Sequence, residues 1–188
     1  MVTPAVADLI AHGPTGPGKC HDLDLMILCS SRTDFGLSPT LMSPAARLQN
    51  AVANSGFEDG NLAPWASYLA ISATVGRNAC HAGRYCLAET AGKGSMYQDV
   101  IGLRPGATYT AAAWVSGSDE GTATAQIAIY DPGTNAAAFS IPIRVHPGWQ
   151  LMTQSLTIGR LPTLRVHLFR NEGSGTVYWD DVHIYAAP

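Results

Sequence analysis

The sequence predicts an all-β protein: an antiparallel β-sandwich or jelly roll preceded by a poorly structured N-terminal extension. Two observations predict it. Short stretches rich in Val, Ile, Thr, Tyr and Trp alternate in part at period two, and no stretch sustains helical periodicity. Between them stand turn signals, drawn from 19 Gly and 12 Pro in 188 residues, so each element is short.

Residues 1–48 differ from the rest. Pro4, Gly13, Pro14, Gly16, Pro17, Gly18, Pro39 and Pro44 interrupt every candidate element there, which predicts an extension or linker. Residues 49–188 carry the sandwich. After Gln49–Val52 comes the turn-rich entry Asn54–Gly60. Strands are expected over Tyr68–Val75, Arg84–Glu89, Ser95–Ile101, Thr108–Ser116, Thr124–Tyr130, Phe139–Val145, Trp149–Ile158, Leu164–Arg170 and Thr176–Tyr185. Leu103-Arg104-Pro105-Gly106, Asp131-Pro132-Gly133 and Pro147-Gly148 supply turns between them. Strands at this spacing fit two stacked sheets.

Parity along each strand assigns faces. Ile127 and Ile129 point inward and leave Tyr130 outside. Tyr109, Ala111, Ala113 and Val115 point inward and leave Trp114 outside. Leu164, Val166 and Leu168 form an apolar face opposite Arg165, His167 and Phe169. On the last strand Tyr178, Asp180, Val182 and Ile184 share one face, and Trp179, Asp181, His183 and Tyr185 the other. A wet sheet face normally carries small polar residues. The rings of Trp114, Tyr130, His167, Phe169 and Trp179 there point to a binding surface.

The formal net charge is -3 and no block of Lys or Arg occurs, which argues against a nucleic-acid partner. No apolar run approaches the ~20 residues of a membrane-spanning helix. Neither Met1–His12 nor Leu23–Cys29 reads as an export signal. Of the four cysteines, Cys20, Cys29, Cys80 and Cys86, the last two have a readable geometry. A hairpin turning about Gly83 places Cys80 opposite Cys86, within disulfide reach; two half-buried free thiols are the alternative. A bridge would argue for an oxidising compartment, extracellular or at the cell surface.

Several segments in order resemble carbohydrate-binding modules of the family four/nine type. They are Asn54-Ser55-Gly56-Phe57-Glu58-Asp59-Gly60 with Trp65, His81–Leu87, Tyr97-Gln98-Asp99-Val100, Leu103–Tyr109, Ala113-Trp114-Val115 and Tyr178-Trp179-Asp180-Asp181-Val182. The resemblance covers roughly Gln49–Tyr185. It implies a galactose-binding-like jelly roll with a structural calcium ion, held by Glu58 and an aspartate of the Asp180-Asp181 pair, with main-chain carbonyls near Asn54. Asp180 is preferred because its inward parity would leave a buried carboxylate needing a cation.

The function expected is non-catalytic carbohydrate binding by a monomeric domain, with a polysaccharide or oligosaccharide as partner. Aromatic faces cover the C–H faces of sugars and polar groups meet the hydroxyl rim. Trp114, Tyr130 and Phe169 are expected to stack, and Arg170, Gln98 and His167 to hydrogen-bond. Trp65, Tyr68 and Tyr97 stand in reserve on the loop side. Two alternatives belong to other classes: a structural or adhesion module without a sugar site, and a jelly-roll glycan hydrolase or lyase. Hydrolysis needs two carboxyl groups in one cleft. The remaining acids, Asp99, Asp119, Glu120, Asp131 and Glu172, fall mostly in turns. No Gly-x-Ser-x-Gly or His-Glu-x-x-His motif occurs.

Overall fold

The computed structural model describes residues 50–77, 80–118 and 121–187; the expected extension, Asp119 and Glu120 lie outside them. Every regular element among the described residues is a strand: β1 (Ala66–Gly76), β2 (Cys86–Ile101), β3 (Thr108–Gly117), β4 (Thr124–Asp131), β5 (Ala136–Phe139), β6 (Ile143–Arg144), β7 (Gln150–Thr157), β8 (Thr163–Arg170) and β9 (Val177–Ala186).

The hydrogen-bonded order is β5-β4-β8-β2-β9-β3-β7, with β1 beside β2 and β6 beside β4. All pairings are antiparallel. The sheet folds into two layers at β2. Leu87–Glu89 pair with β9, whereas Gly94–Ile101 pair with β8. One 16-residue strand thus stands where the sequence suggested two. β5 and β7, at opposite ends of the order, come into contact, so the sandwich is nearly closed. β1 accompanies β2 through the bend, with a register shift between Ser72 and Ala73. Gly94 lies against β1 so closely that an added Cβ would sit 2.2 Å from the Tyr68 carbonyl oxygen.

The inward parity of β3, β4 and β8 is as expected: Ala111, Ala113, Val115, Ile127, Ile129, Leu164, Val166 and Leu168 are all buried. Full burial of each larger aliphatic side chain contributes about 1.5–3 kcal/mol. β9 departs from simple alternation. Its pairing to β3 steps from His183 to Asp180 while β3 steps only from Ala112 to Trp114. Asp181 takes φ 47°. The extra residue makes a bulge that reverses the facing on one side of it. Trp179 therefore points into the core, fully buried, and is not part of the outer face where strict alternation put it. Its indole Nε1–H donates to Glu89 at 2.9 Å. Burial raises the Glu89 carboxyl to about 8 against the lowering effect of that bond.

Candidate functional site

A cleft of about 370 Å³ lies on the outer face of the β4–β8 layer. It is lined by Tyr68, Ala128, Ile129, Tyr130, Ala137, Phe139, Arg165, His167 and Phe169. The floor follows from β8. With Leu164, Val166 and Leu168 in the core, Arg165, His167 and Phe169 must face outward. Ala128, paired with His167 on one side and Phe139 on the other, is small enough to leave a depression. The walls come from the flanking strands. Tyr68 of β1 stands edge-on to His167 (centroids 5.7 Å, 77°) and to Phe169 (6.4 Å, 89°). Phe139 of β5 tilts against Phe169 at 6.1 Å and 45°. Both wall rings stay about half exposed, 46% for Tyr68 and 55% for Phe139, so the cleft offers apolar faces to a ligand.

Polar groups of the cleft are held in place. Ser95 Oγ lies 2.8 Å from His167 Nδ1, leaving Nε2 as the ring's other polar atom. Desolvation pulls His167 down to about 4, the Arg165 charge adds to this and Asp99 opposes it, so the ring is neutral at pH 7. Arg165 grips Asp99 through Nε at 2.7 Å and Nη2 at 2.9 Å, and its guanidinium lies 4.2 Å from the Tyr97 centroid. The hydrogen bond to Asp99 holds the Arg165 pKa above its ordinary value. The Tyr130 hydroxyl donates to Asn135 Oδ1 at 2.5 Å.

A second group gathers at the start and end of the described chain. Cys80 and Cys86 are bridged, with Cα atoms 5.4 Å apart. The bridge closes the β1–β2 connection, although Gly76 rather than Cys80 pairs with Cys86 in the ladder. Gly83, at φ 63°, passes directly over Glu58: an added Cβ would meet its carboxylate at 2.3 Å. Glu58 accepts N–H bonds from Arg84 (2.9 and 3.0 Å) and Tyr85 (2.9 Å). Asp180 is fully buried, with Oδ2 accepting from Ala82 N–H at 3.1 Å and Oδ1 from Asp181 N–H at 2.8 Å. Desolvation raises its carboxyl to about 6 despite those bonds, helped by the neighbouring Asp181 charge. Glu58, Asp180 and Asp181 surround Gly56, whose added Cβ would lie 3.5 Å from Oδ1 of each aspartate. His81 Nδ1 contacts Asp181 Oδ2 at 2.7 Å, and the His81 ring stacks on Trp114 at 4.1 Å and 15°. Trp149 meets the same imidazole edge-on at 5.7 Å.

Tyr130, His167 and Phe169 are thus brought together, and Tyr97 stands beside them through Arg165. Trp114 is not: it belongs to the β3 layer. Three expected ligand residues are spent inside the fold. Arg170, 3% exposed, donates to the carbonyls of Gly92, Asn171, Gly173 and Gly175. Gln98 closes a pair of bonds with Ala53, donating to its oxygen at 2.9 Å and accepting from its nitrogen at 2.8 Å. Trp65 is buried and donates to the Asn54 carbonyl at 3.3 Å. That carbonyl also accepts from Phe57 N–H. Asp131, at the end of β4, is buried. Burial acts to raise it, but bonds from Gly159, Thr134 and Gly133 prevail and hold it below the ordinary range. Phe139 and the wall role of Tyr68 were not singled out from sequence. Phe139 comes opposite Ala128 only through the pairing of β5 with β4, which the residues do not announce.

Residues 49–173 match the model of a family described as a carbohydrate binding domain. A stretch of 131 residues, 70% of this chain, is 29% identical to a keratan-sulfate endo-1,4-beta-galactosidase of Sphingobacterium multivorum. The match spans 30% of that enzyme's length. Among solved structures the chain resembles TmCBM61 in complex with beta-1,4-galactotriose, with TM-score 0.60 and 17% identity over 74% of this chain and 99% of that one. The CBM22-1 xylan-binding domain from Paenibacillus barcinonensis Xyn10C gives 0.57 and 13%, over 70% and 91%. A Stig cyclase from Fischerella sp. TAU gives 0.58 and 15%, over 73% and 96%. At these identities the structural likeness speaks for the fold alone, and that fold carries both binding and catalysis.

Proposed function

This chain belongs to the carbohydrate-binding domain family, and on that premise we propose that it is a non-catalytic module holding a glycan in the Tyr68–Phe139 cleft. The observation that carries the reading is the half-exposed aromatic walls over a floor of neutral His167 and Phe169. Such rings present their faces to sugar C–H groups, while Arg165 and His167 meet hydroxyls. We read the module as non-catalytic; glycoside hydrolysis uses a facing pair of carboxyl groups, and this cleft is lined by aromatic, aliphatic, Arg and His side chains. The Cys80–Cys86 bridge supports an extracellular or cell-surface setting.

A structural calcium ion is the second part of the proposal. Its support is donor chemistry. Asp180 is buried, its two oxygens meet backbone N–H groups, and no Lys or Arg pairs with it among the described residues. Glu58 and Asp181 lie close by, and hard oxygens of this kind suit calcium. No three acidic, His or Cys side chains among the described residues converge as a metal site, so main-chain carbonyls would supply the rest of the shell.

The test is a glycan array followed by titration calorimetry on the full chain, with Phe169→Ala as control. Binding abolished by that substitution with the fold retained supports the reading; a protein that retains no glycan, leaving the adhesion alternative, refutes it. For the metal, saturating chelator should lower the melting temperature and added calcium restore it, because an ion bound only by the folded state stabilises it. A melting temperature indifferent to both removes the ion from the proposal.

A further inference from the structure

The cleft carries a statement about the charge of its occupant. This inference rests on the glycan reading above and sharpens it. The enzyme that shares 29% identity with this chain is named for keratan sulfate, a name that raises the question of an anionic ligand. A site for sulfate esters or uronates needs a cation free to meet them, ordinarily an Arg presenting its planar fork.

Among the described residues, Arg165 is the one Lys or Arg lining the cleft. Its Nε and Nη2 are both committed to Asp99, which presents one oxygen to each. The Tyr97 ring covers one side of the guanidinium. An incoming sulfate would have to displace a carboxylate in an ideal two-point arrangement and would face that carboxylate's charge. Lys93 of β2 does not line the cleft and is paired with Glu172 at 3.4 Å. The other hydrogen-bonding groups of the lining, Nη1 of Arg165, the second nitrogen of His167 and the hydroxyls of Tyr68 and Tyr130, are uncharged or already balanced and suit hydroxyl partners. The rest of the lining is apolar.

We propose that the cleft takes an uncharged glycan and discriminates against sulfated or uronate-bearing chains, because its lining guanidinium is already neutralised by Asp99.

The test compares, by titration calorimetry on the full chain, neutral β-1,4-galactan and xylan oligosaccharides with chemically sulfated derivatives of the same length. At least one neutral chain should bind tenfold or more tightly than its sulfated form. The variant Asp99→Asn, checked for unchanged melting, frees the guanidinium. It should raise affinity for the sulfated chain at least fivefold in a salt-dependent manner and so narrow the ratio between the neutral and sulfated chains. Equal or tighter binding of the sulfated chain by the unaltered protein overturns the inference while leaving glycan binding intact. So does an Asp99→Asn variant that shows no gain. If neither form binds, nor any other glycan on an array, the binding reading itself falls and takes this inference with it.

Discussion

Two aromatic groups stand on outer faces of the sandwich, and they differ in what their faces see. On the β4–β8 layer, Tyr68 and Phe139 meet Phe169 edge-on or tilted, so broad ring surfaces are left toward the cleft. On the β3 layer, Trp114 is stacked by His81 at 4.1 Å, and His81 is itself tied to Asp181 and tethered beside the Cys80–Cys86 bridge. The chain has supplied its own flat partner to Trp114. An outward aromatic is thus not by itself a ligand platform. The first group is open because its neighbours are short or turned away, the second closed because a loop is stapled over it.

Three experiments test the contrast. The largest effect is expected from Phe169→Ala, which should weaken glycan binding on the order of a hundredfold, about 2–3 kcal/mol for lost apolar burial. Trp114→Ala should change affinity less than about twofold. Calorimetry on the pair decides it, and a comparable loss from Trp114→Ala would break the distinction. Next comes the double substitution Cys80→Ser/Cys86→Ser. Releasing the short loop should lower stability by about 2 kcal/mol on a chain-entropy estimate, read by urea denaturation, with glycan affinity unaltered. A tenfold loss of affinity there would mean that the two groups are coupled.

The third experiment concerns His167 as a packed member of the floor. Its folded pKa of about 4 lies below the ordinary 6.5. As pH falls the unfolded chain therefore takes up the proton first, and folding stability drops between about pH 6.5 and 4. Relative to His167→Gln, the unaltered protein should lose stability across that window and run parallel above it. Curves parallel throughout would show the ring to be solvated, and the floor less dry than its neighbours imply.

Much of this was legible in the residues, within a definite limit. Alternation located β3, β4 and β8 and gave the facing of Ile127, Ile129, Val166 and Phe169, since regular strands permit no other reading. It failed at Trp179, where Asp181 inserts an extra residue into β9; an Asp-Asp pair carries no mark that distinguishes a bulge from a strand. Arg170 is a different case. It shares parity with Leu164, Val166 and Leu168, a pattern that already placed it inward, and the expectation of a ligand role followed its chemistry instead. What holds it is mostly local, the carbonyls of Asn171, Gly173 and Gly175 in the β8–β9 connection, joined by Gly92 of β2; a run of glycines after a strand does not announce that it will wrap a guanidinium. Gln98 is similar, matched to Ala53, 45 positions away. The cleft walls needed knowledge of pairing: Tyr68 and Phe139 become neighbours of β8 only after β1 and β5 take their places at either side.

The close approach of Gly94 to Tyr68 has a consequence for the aperture of the cleft. With a hydrogen atom where other residues carry carbon, the two backbones settle together and the phenol is set over His167 and Phe169 at 5.7 and 6.4 Å. A methyl group there would strike the Tyr68 carbonyl and lift the whole wall outward. The calibre of the groove is set from beneath by a residue that no ligand would ever touch.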